Sequence, residues 1–152
     1  MNKPASPQKQ LDGFIDKYKP ELAAQARACL KILRSRMPGA LQLVYDNYNA
    51  LVIGFGPTER PSEAVFSLVL YPRYLRLFFL QGRRVPDPDK ILEGKGSVVR
   101  SILISEPSDL NRPDIREVMA AAIECACVPF DPAGKGQLVI RSVSAKQRPR
   151  QT

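Results

Sequence analysis

A chain of 152 residues with 44% hydrophobic and 25% charged side chains has the length and composition of one folded domain, which excludes disorder over most of its length. Of its 23 basic residues, Lys135, Arg141, Lys146, Arg148 and Arg150 stand beyond Asp131 with no carboxylate among them. The formal charge of +8 is therefore concentrated in the C-terminal part, and the rest of the chain is close to balanced.

The sequence contains no histidine, so the commonest general base and metal ligand is missing. The N-terminal stretch MNKPASPQKQ lacks an apolar h-region, and runs such as LFFL fall far short of the ~20 residues a spanning helix needs. These features lead us to expect a cytoplasmic protein that is neither exported nor membrane-inserted. The three cysteines, Cys29, Cys125 and Cys127, form no disulfide framework and read as reduced thiols. Cys125 and Cys127, two apart on a helix, would diverge by about 200°, so each is expected to be a small buried or half-buried side chain.

Ser6-Pro7 opens a first helix, with Ser6 as N-cap and Pro7 at the first helical position; Leu11, Phe14 and Ile15 form its apolar face. Pro20 and Glu21 start a longer helix, in which Leu22, Ala26, Cys29, Leu30, Leu33 and Met37 recur at helical spacing. Arg27, Lys31 and Arg34 lie opposite as a solvated face, and Pro38-Gly39 ends the helix.

From Leu41 to Gly82 four segments, LQLVYDNY, ALVIGFG, EAVFSLVLY and YLRLFFLQG, follow with short joins, which predicts an antiparallel meander. The second is apolar on both faces and so central, with Gly54 and Gly56 marking a bulge or a close backbone approach. Tyr71-Pro72-Arg73-Tyr74 turns the third strand into the fourth. Pro86 to Gly94 reads as one capped helical turn. There Asp87, Asp89 and Glu93 could together face a cation, although capping accounts for Asp87 and Asp89.

Gly94-Lys95-Gly96 lacks the spacing of a nucleotide-binding loop. Val98 to Ile104 makes a fifth strand with Arg100 directed outward. Asn111-Arg112-Pro113 opens a last helix with an apolar stripe from Ile115 to Ala126, ended by Val128-Pro129. QLVIRSVSA can add an edge strand, and KQRPRQT reads as a solvated tail.

The expected fold class is α+β: an antiparallel sheet of about five to six strands, in the order α-α-β4-short helix-β-α, covered on one face by the N- and C-terminal helices. The expected division is a flexible N-terminus at 1–9, an α+β domain at 10–130, and at 131–152 an extension with the edge strand and basic tail.

Over roughly residues 10 to 130 the chain resembles the YdhG-like domain family, a bacterial group mostly of unknown function. The segments that carry the likeness are the helix ending in Met37-Pro38, LVYDNYNALVIGFG, FSLVLYPRYLRLFFLQG, PDPDKILEGKG and VVRSILI. Many members have Trp-x-x-Pro in the first hairpin, where this chain has Tyr45-Asp46-Asn47-Tyr48. The resemblance implies the same α+β fold, and some relatives have been proposed as frataxin-like iron chaperones. That role needs clustered oxygen ligands, whereas on the first helices Asp12, Asp16 and Glu21 are outnumbered by Lys17, Lys19, Arg27, Lys31, Arg34 and Arg36.

The leading expectation is a non-enzymatic binding or accessory module, without cofactor or metal, that takes an unknown small molecule or protein on its open sheet face or first hairpin. Tyr45, Asp46, Asn47, Tyr48, Arg76 and Arg100 are the candidate ligand-binding residues, since tyrosine offers flat area and a hydrogen bond together. The alternative is weak nucleic-acid or polyanion binding through the basic tail, which is salt-dependent and indifferent to sequence.

Overall fold

The computed structural model describes residues 5–151. Helices α1 (Pro7–Ile15) and α2 (Pro20–Arg36) lead into strands β1 (Leu41–Asp46), β2 (Leu51–Gly56), β3 (Phe66–Leu70), β4 (Leu75–Phe79) and β5 (Arg100–Ile104); helix α3 (Pro113–Glu124) and strand β6 (Leu138–Val143) follow. The strands form one sheet in the order β5-β4-β3-β2-β1-β6. All neighbours are antiparallel except β1 and β6, which run parallel. The α+β class and the meander are as expected, and β6 supplies the edge strand.

The local signals act where the sequence places them. The Ser6 side chain accepts a hydrogen bond from the Lys9 amide at 3.2 Å, capping α1, and Pro20 occupies the first turn of α2. Alternation then sorts the sheet into two faces. Val44, Leu51, Ile53, Phe55, Phe66, Leu68, Leu70, Leu75, Leu77, Phe79, Ile102 and Ile104 belong to one buried cluster with Leu11, Ile15, Leu22, Leu30, Leu33, Ile115, Val118 and Met119 of the helices. Phe66 and Phe79 meet edge to face with centroids 5.1 Å apart. Burying each such side chain stabilises by about 1.5–3 kcal/mol, which makes this face the main apolar core. Leu43 and Val69 are buried but stand outside that cluster, on the opposite face.

Several local readings are corrected. Pro86 to Gly94 forms no helical turn: Asp87 instead accepts hydrogen bonds from the amides of Ile91 and Leu92, tying a loop whose Glu93 bridges to Ser101 and covers the β5 edge. Gly54 keeps regular register with Leu43 and Ser67, and the sheet's irregularity lies between β1 and β6 at Val44/Tyr45. At Gly56 a side chain would meet the Ala64 backbone at 3.0 Å, so close approach is the reason for that glycine. Helix α3 ends at Glu124, short of Val128. Cys125 and Cys127 therefore lie on the departing chain and are exposed rather than half-buried. Arg34 leaves the solvated face to donate to Oε1 of the buried Gln42 at 2.8 Å.

The largest correction concerns the tail. Lys146 to Gln151 is docked, because the parallel pairing of β6 carries the chain back across the end of β1. The Ser144 and Arg148 amides donate to the carbonyls of Asp46 and Tyr48. Arg150 is buried, 3.0 Å from Oδ1 of Asp46, whose Oδ2 lies 2.8 Å from Lys17 Nζ. The Asp46 carboxylate is fully buried between the two cations.

Removing one partner of a buried ion pair costs about 3–5 kcal/mol, and losing Arg150, which leaves Lys17 on Asp46, falls toward the lower end of that range. Arg150→Met is accordingly expected to lower the urea midpoint by a large margin, whereas Lys146→Met, on an exposed residue, changes it little. Burial also pushes the Tyr18 hydroxyl up to about 12 from 10.0 and the Cys29 thiol up to about 12 from 9.0, against the lowering influence of Arg150 on Tyr18. Both groups fold in their neutral forms, so their stabilisation is complete below about pH 9 and is lost as pH rises toward 12. Urea midpoints measured across that range should fall, and Cys29→Ala should flatten the lower part of the decline.

Candidate ligand-binding groove

In an antiparallel meander the first and third turns share one end of the sheet. The pairings Asp46 with Leu51, Leu51 with Leu70, Leu70 with Leu75, and Leu75 with Ile104 place residues 47–50 and 71–74 together there. Because β6 is parallel to β1, its C-terminal continuation arrives at the same end. The turn between α1 and α2 joins them: Tyr18 donates its hydroxyl to the Leu70 carbonyl at 2.8 Å and accepts from the Leu51 amide at 3.1 Å.

From this end a groove of about 660 Å³ runs along the face not covered by helices. Its floor is Val52, Ser67, Val69 and Phe78. Asn47, Tyr48, Asn49, Ala50, Tyr71 and Ser144 form one rim, and Leu80 and Val99 the other. No charged side chain lines it. The amide side chains of Asn47 and Asn49 and the Ser67 hydroxyl make no hydrogen bond among the described residues, so the polar groups of an otherwise apolar surface are available to a guest. Tyr71 lies against Tyr74 with centroids 4.8 Å apart and planes 26° from parallel. Its hydroxyl is pushed above the usual tyrosine value by burial, then by Tyr74, with Arg76 acting the other way.

The six residues proposed from sequence do not form one site. Asn47 and Tyr48 line the groove, and Tyr48 is 48% exposed. Tyr45 and Arg76 lie on the same sheet face but outside the lining. Arg76 is held there by Ser101 Oγ, 3.0 Å from its Nε, and by Glu93 at 3.6 Å. The Tyr45 hydroxyl is shut away from solvent with no hydrogen-bond partner among the described residues. Asp46 points to the helix face, where its charge is spent on Lys17 and Arg150.

Arg100 is not directed outward on the open face: it shares its side with Ile102 and folds over the 94–99 loop, donating to the carbonyls of Gly96 and Val99. Sequence reading passed over Ser67, Val69, Tyr71, Phe78 and Ser144. The shared end of the two turns was the available signal for Tyr71; Ser144 depended on the unforeseen parallel pairing.

Two other features fall short of a site. A partly open cavity of about 40 Å³ beside Cys125, Cys127 and Glu63 has room for water rather than an organic guest. Among the described residues no three His, Cys, Asp or Glu side chains gather to hold a metal ion. Comparison with family models, curated proteins and solved structures found no match to this chain. No helix among the described residues is long and apolar enough to cross a membrane.

A buried hydroxyl without a partner costs about 1–3 kcal/mol relative to a satisfied one. Tyr45→Phe removes it without opening a cavity. The substitution should leave the fold intact and raise stability by about 1 kcal/mol in urea titrations; a loss of stability would show that the hydroxyl has a partner in solution.

Proposed function

We propose that this protein is a cytoplasmic, non-enzymatic binding module that receives a small organic molecule on its open sheet face. The observation that carries this reading is the uncharged, shallow and open groove of about 660 Å³, whose volume lies within the roughly 300–1,000 Å³ range of small-molecule sites and whose make-up is theirs, mostly apolar with a few convergent polar groups. Asn47, Asn49 and Ser67 supply directional hydrogen bonds, and Tyr48, Tyr71 and Phe78 supply flat contact area.

A non-enzymatic role is favoured because the lining contains no carboxylate, amine, thiol or imidazole to act as base or nucleophile. The YdhG-like resemblance belongs to the same proposal and rests on the consecutive segments quoted above; it adds the expectation of a bacterial accessory protein. The iron-chaperone role of some relatives gains no support from the carboxylates, since Asp87 is occupied by backbone amides and Asp46 by two cations. Polyanion binding by the C-terminal segment is the weaker alternative: Lys135, Arg141, Lys146 and Arg148 are exposed, but Arg150 is withdrawn into the fold.

Native mass spectrometry of gently purified protein tests the reading. A stoichiometric adduct of small mass, lost on denaturation, is expected in the wild type. Ser67→Phe on the groove floor should abolish it with circular dichroism unchanged, and Val52→Phe, at a half-buried position, serves as a second block should the first disturb folding. An adduct that survives both substitutions would move the site elsewhere.

A further inference from the structure

The groove opens at its tyrosine rim onto a second concavity, and the two share Asn49 and Tyr71. This cleft, about 630 Å³, is lined in addition by Pro72, Arg73, Tyr74, Arg148 and Pro149. It differs from the groove in one respect that decides what can bind: it carries two guanidinium groups and no carboxylate. The acid of the first hairpin, Asp46, is fully buried and already bonded to Lys17 and Arg150, so it does not neutralise Arg148.

Arg148 is exposed and held rather than free to sweep. Its amide donates to the Tyr48 carbonyl at 2.8 Å, and its guanidinium lies over the Tyr48 ring, 5.6 Å from the centroid. That stacking leaves the N–H groups unused, for the guanidinium makes no hydrogen bond or ion pair among the described residues. A planar cation with its donors unspent, positioned on an aromatic ring at the mouth of an apolar groove, is suited to an oxyanion.

We propose that the molecule taken by the groove is an amphipathic organic anion. Its flat or apolar body lies over Val52, Val69 and Phe78, and its carboxylate, sulfonate or phosphate sits at the rim on Arg148. The proposal rests on the small-molecule reading of the groove and specifies the ligand class for it. Single-stranded nucleic acid could stack on the same rings, but a strand also needs a positively charged groove that tracks its backbone, and no charged side chain lines this one.

A matched pair of fluorescent probes separates the two claims: N-phenylnaphthylamine, which is neutral, and anilinonaphthalenesulfonate, the same skeleton with an anionic group. Both should bind saturably to the wild-type protein and be weakened together by Ser67→Phe. The sulfonate should bind about tenfold more tightly than the neutral dye at low salt, the size of one charge-assisted contact. Arg148→Ala should erase that advantage without moving the neutral dye, Arg148→Lys should restore part of it, and about 1 M salt should remove it by screening.

Equal affinities in the wild type, or equal weakening of both dyes by Arg148→Ala, would overturn the anion assignment while leaving the groove in place. Failure of either dye to saturate would overturn the groove reading itself. Sulfonate binding that persists in Ser67→Phe would place the anion outside the groove. Displacement of both dyes by a short oligothymidylate would overturn the small-ligand class in favour of nucleic acid.

Discussion

The buried carboxylate of Asp46 is the constraint on which this fold turns. A lone carboxylate in an apolar interior is too costly to keep ionised, and here it is answered by two cations from distant parts of the chain, Lys17 at 2.8 Å and Arg150 at 3.0 Å. Arg150 reaches further, donating to the Asn47 and Tyr48 carbonyls and lying 5.7 Å from the centroid of the Tyr18 ring. Gln147 donates to the Asp46 carbonyl, and Gln151 to those of Lys17 and Tyr18. The turn between α1 and α2, the end of β1 and the C-terminal segment are thus joined around one negative charge. Such a cluster contributes less net energy than a hydrophobic patch of equal volume, but it is specific: the wrong register strands the charge.

That specificity explains where legibility stopped. The meander followed from alternation within each strand, and the helix starts from Ser6-Pro7 and Pro20-Glu21, because both depend on residues close in sequence; the core face of β1 did not, since its more apolar side, Leu41, Leu43 and Tyr45, is the open one while Val44 and Asp46 face the helices. Asp46 was legible as a polar residue near a hairpin and therefore read as surface. Nothing within the hairpin shows that its partners are 29 and 104 positions away. The same holds for Arg150, which in KQRPRQT looks like any solvated cation. Arg100 misled for a related reason. Its position in the strand puts it on the helix face, but at the edge of the sheet its side chain turns to the 94–99 loop, which alternation alone does not reveal.

The candidate site was partly legible. Asn47 and Tyr48 came from the turn chemistry of the first hairpin, and parity of the meander brings Tyr71 to the same end once the strands are placed in order. The floor of the groove was hidden by its chemistry: Ser67 and Val69 look like ordinary members of a buried strand, and they are indeed nearly buried, at 9% and 6% exposure. Concavity, not composition, makes them a site. A twisted sheet flanked by the 47–50 turn on one side and the chain near Val99 on the other forms a trough that no single strand encodes.

The buried cluster and the groove are coupled through the last residues of the chain. Ser144 belongs to the groove rim, and Arg148 and Pro149 to the adjoining cleft. All three lie on the segment that Arg150 anchors to Asp46. The Arg148 guanidinium is kept over Tyr48 by its own amide's bond to the Tyr48 carbonyl and by that anchor two residues beyond it. Two arginines separated by a single proline therefore have opposite roles: Arg150 gives its charge to the interior and orders the segment, and Arg148 keeps its donors at the rim because the segment is ordered. The apolar floor of the groove is built by the meander alone, whereas Arg148 reaches its mouth only when the C-terminal chain is docked. In this protein the features that distinguish one ligand class from another thus depend on a charge pair on the opposite side of the sheet.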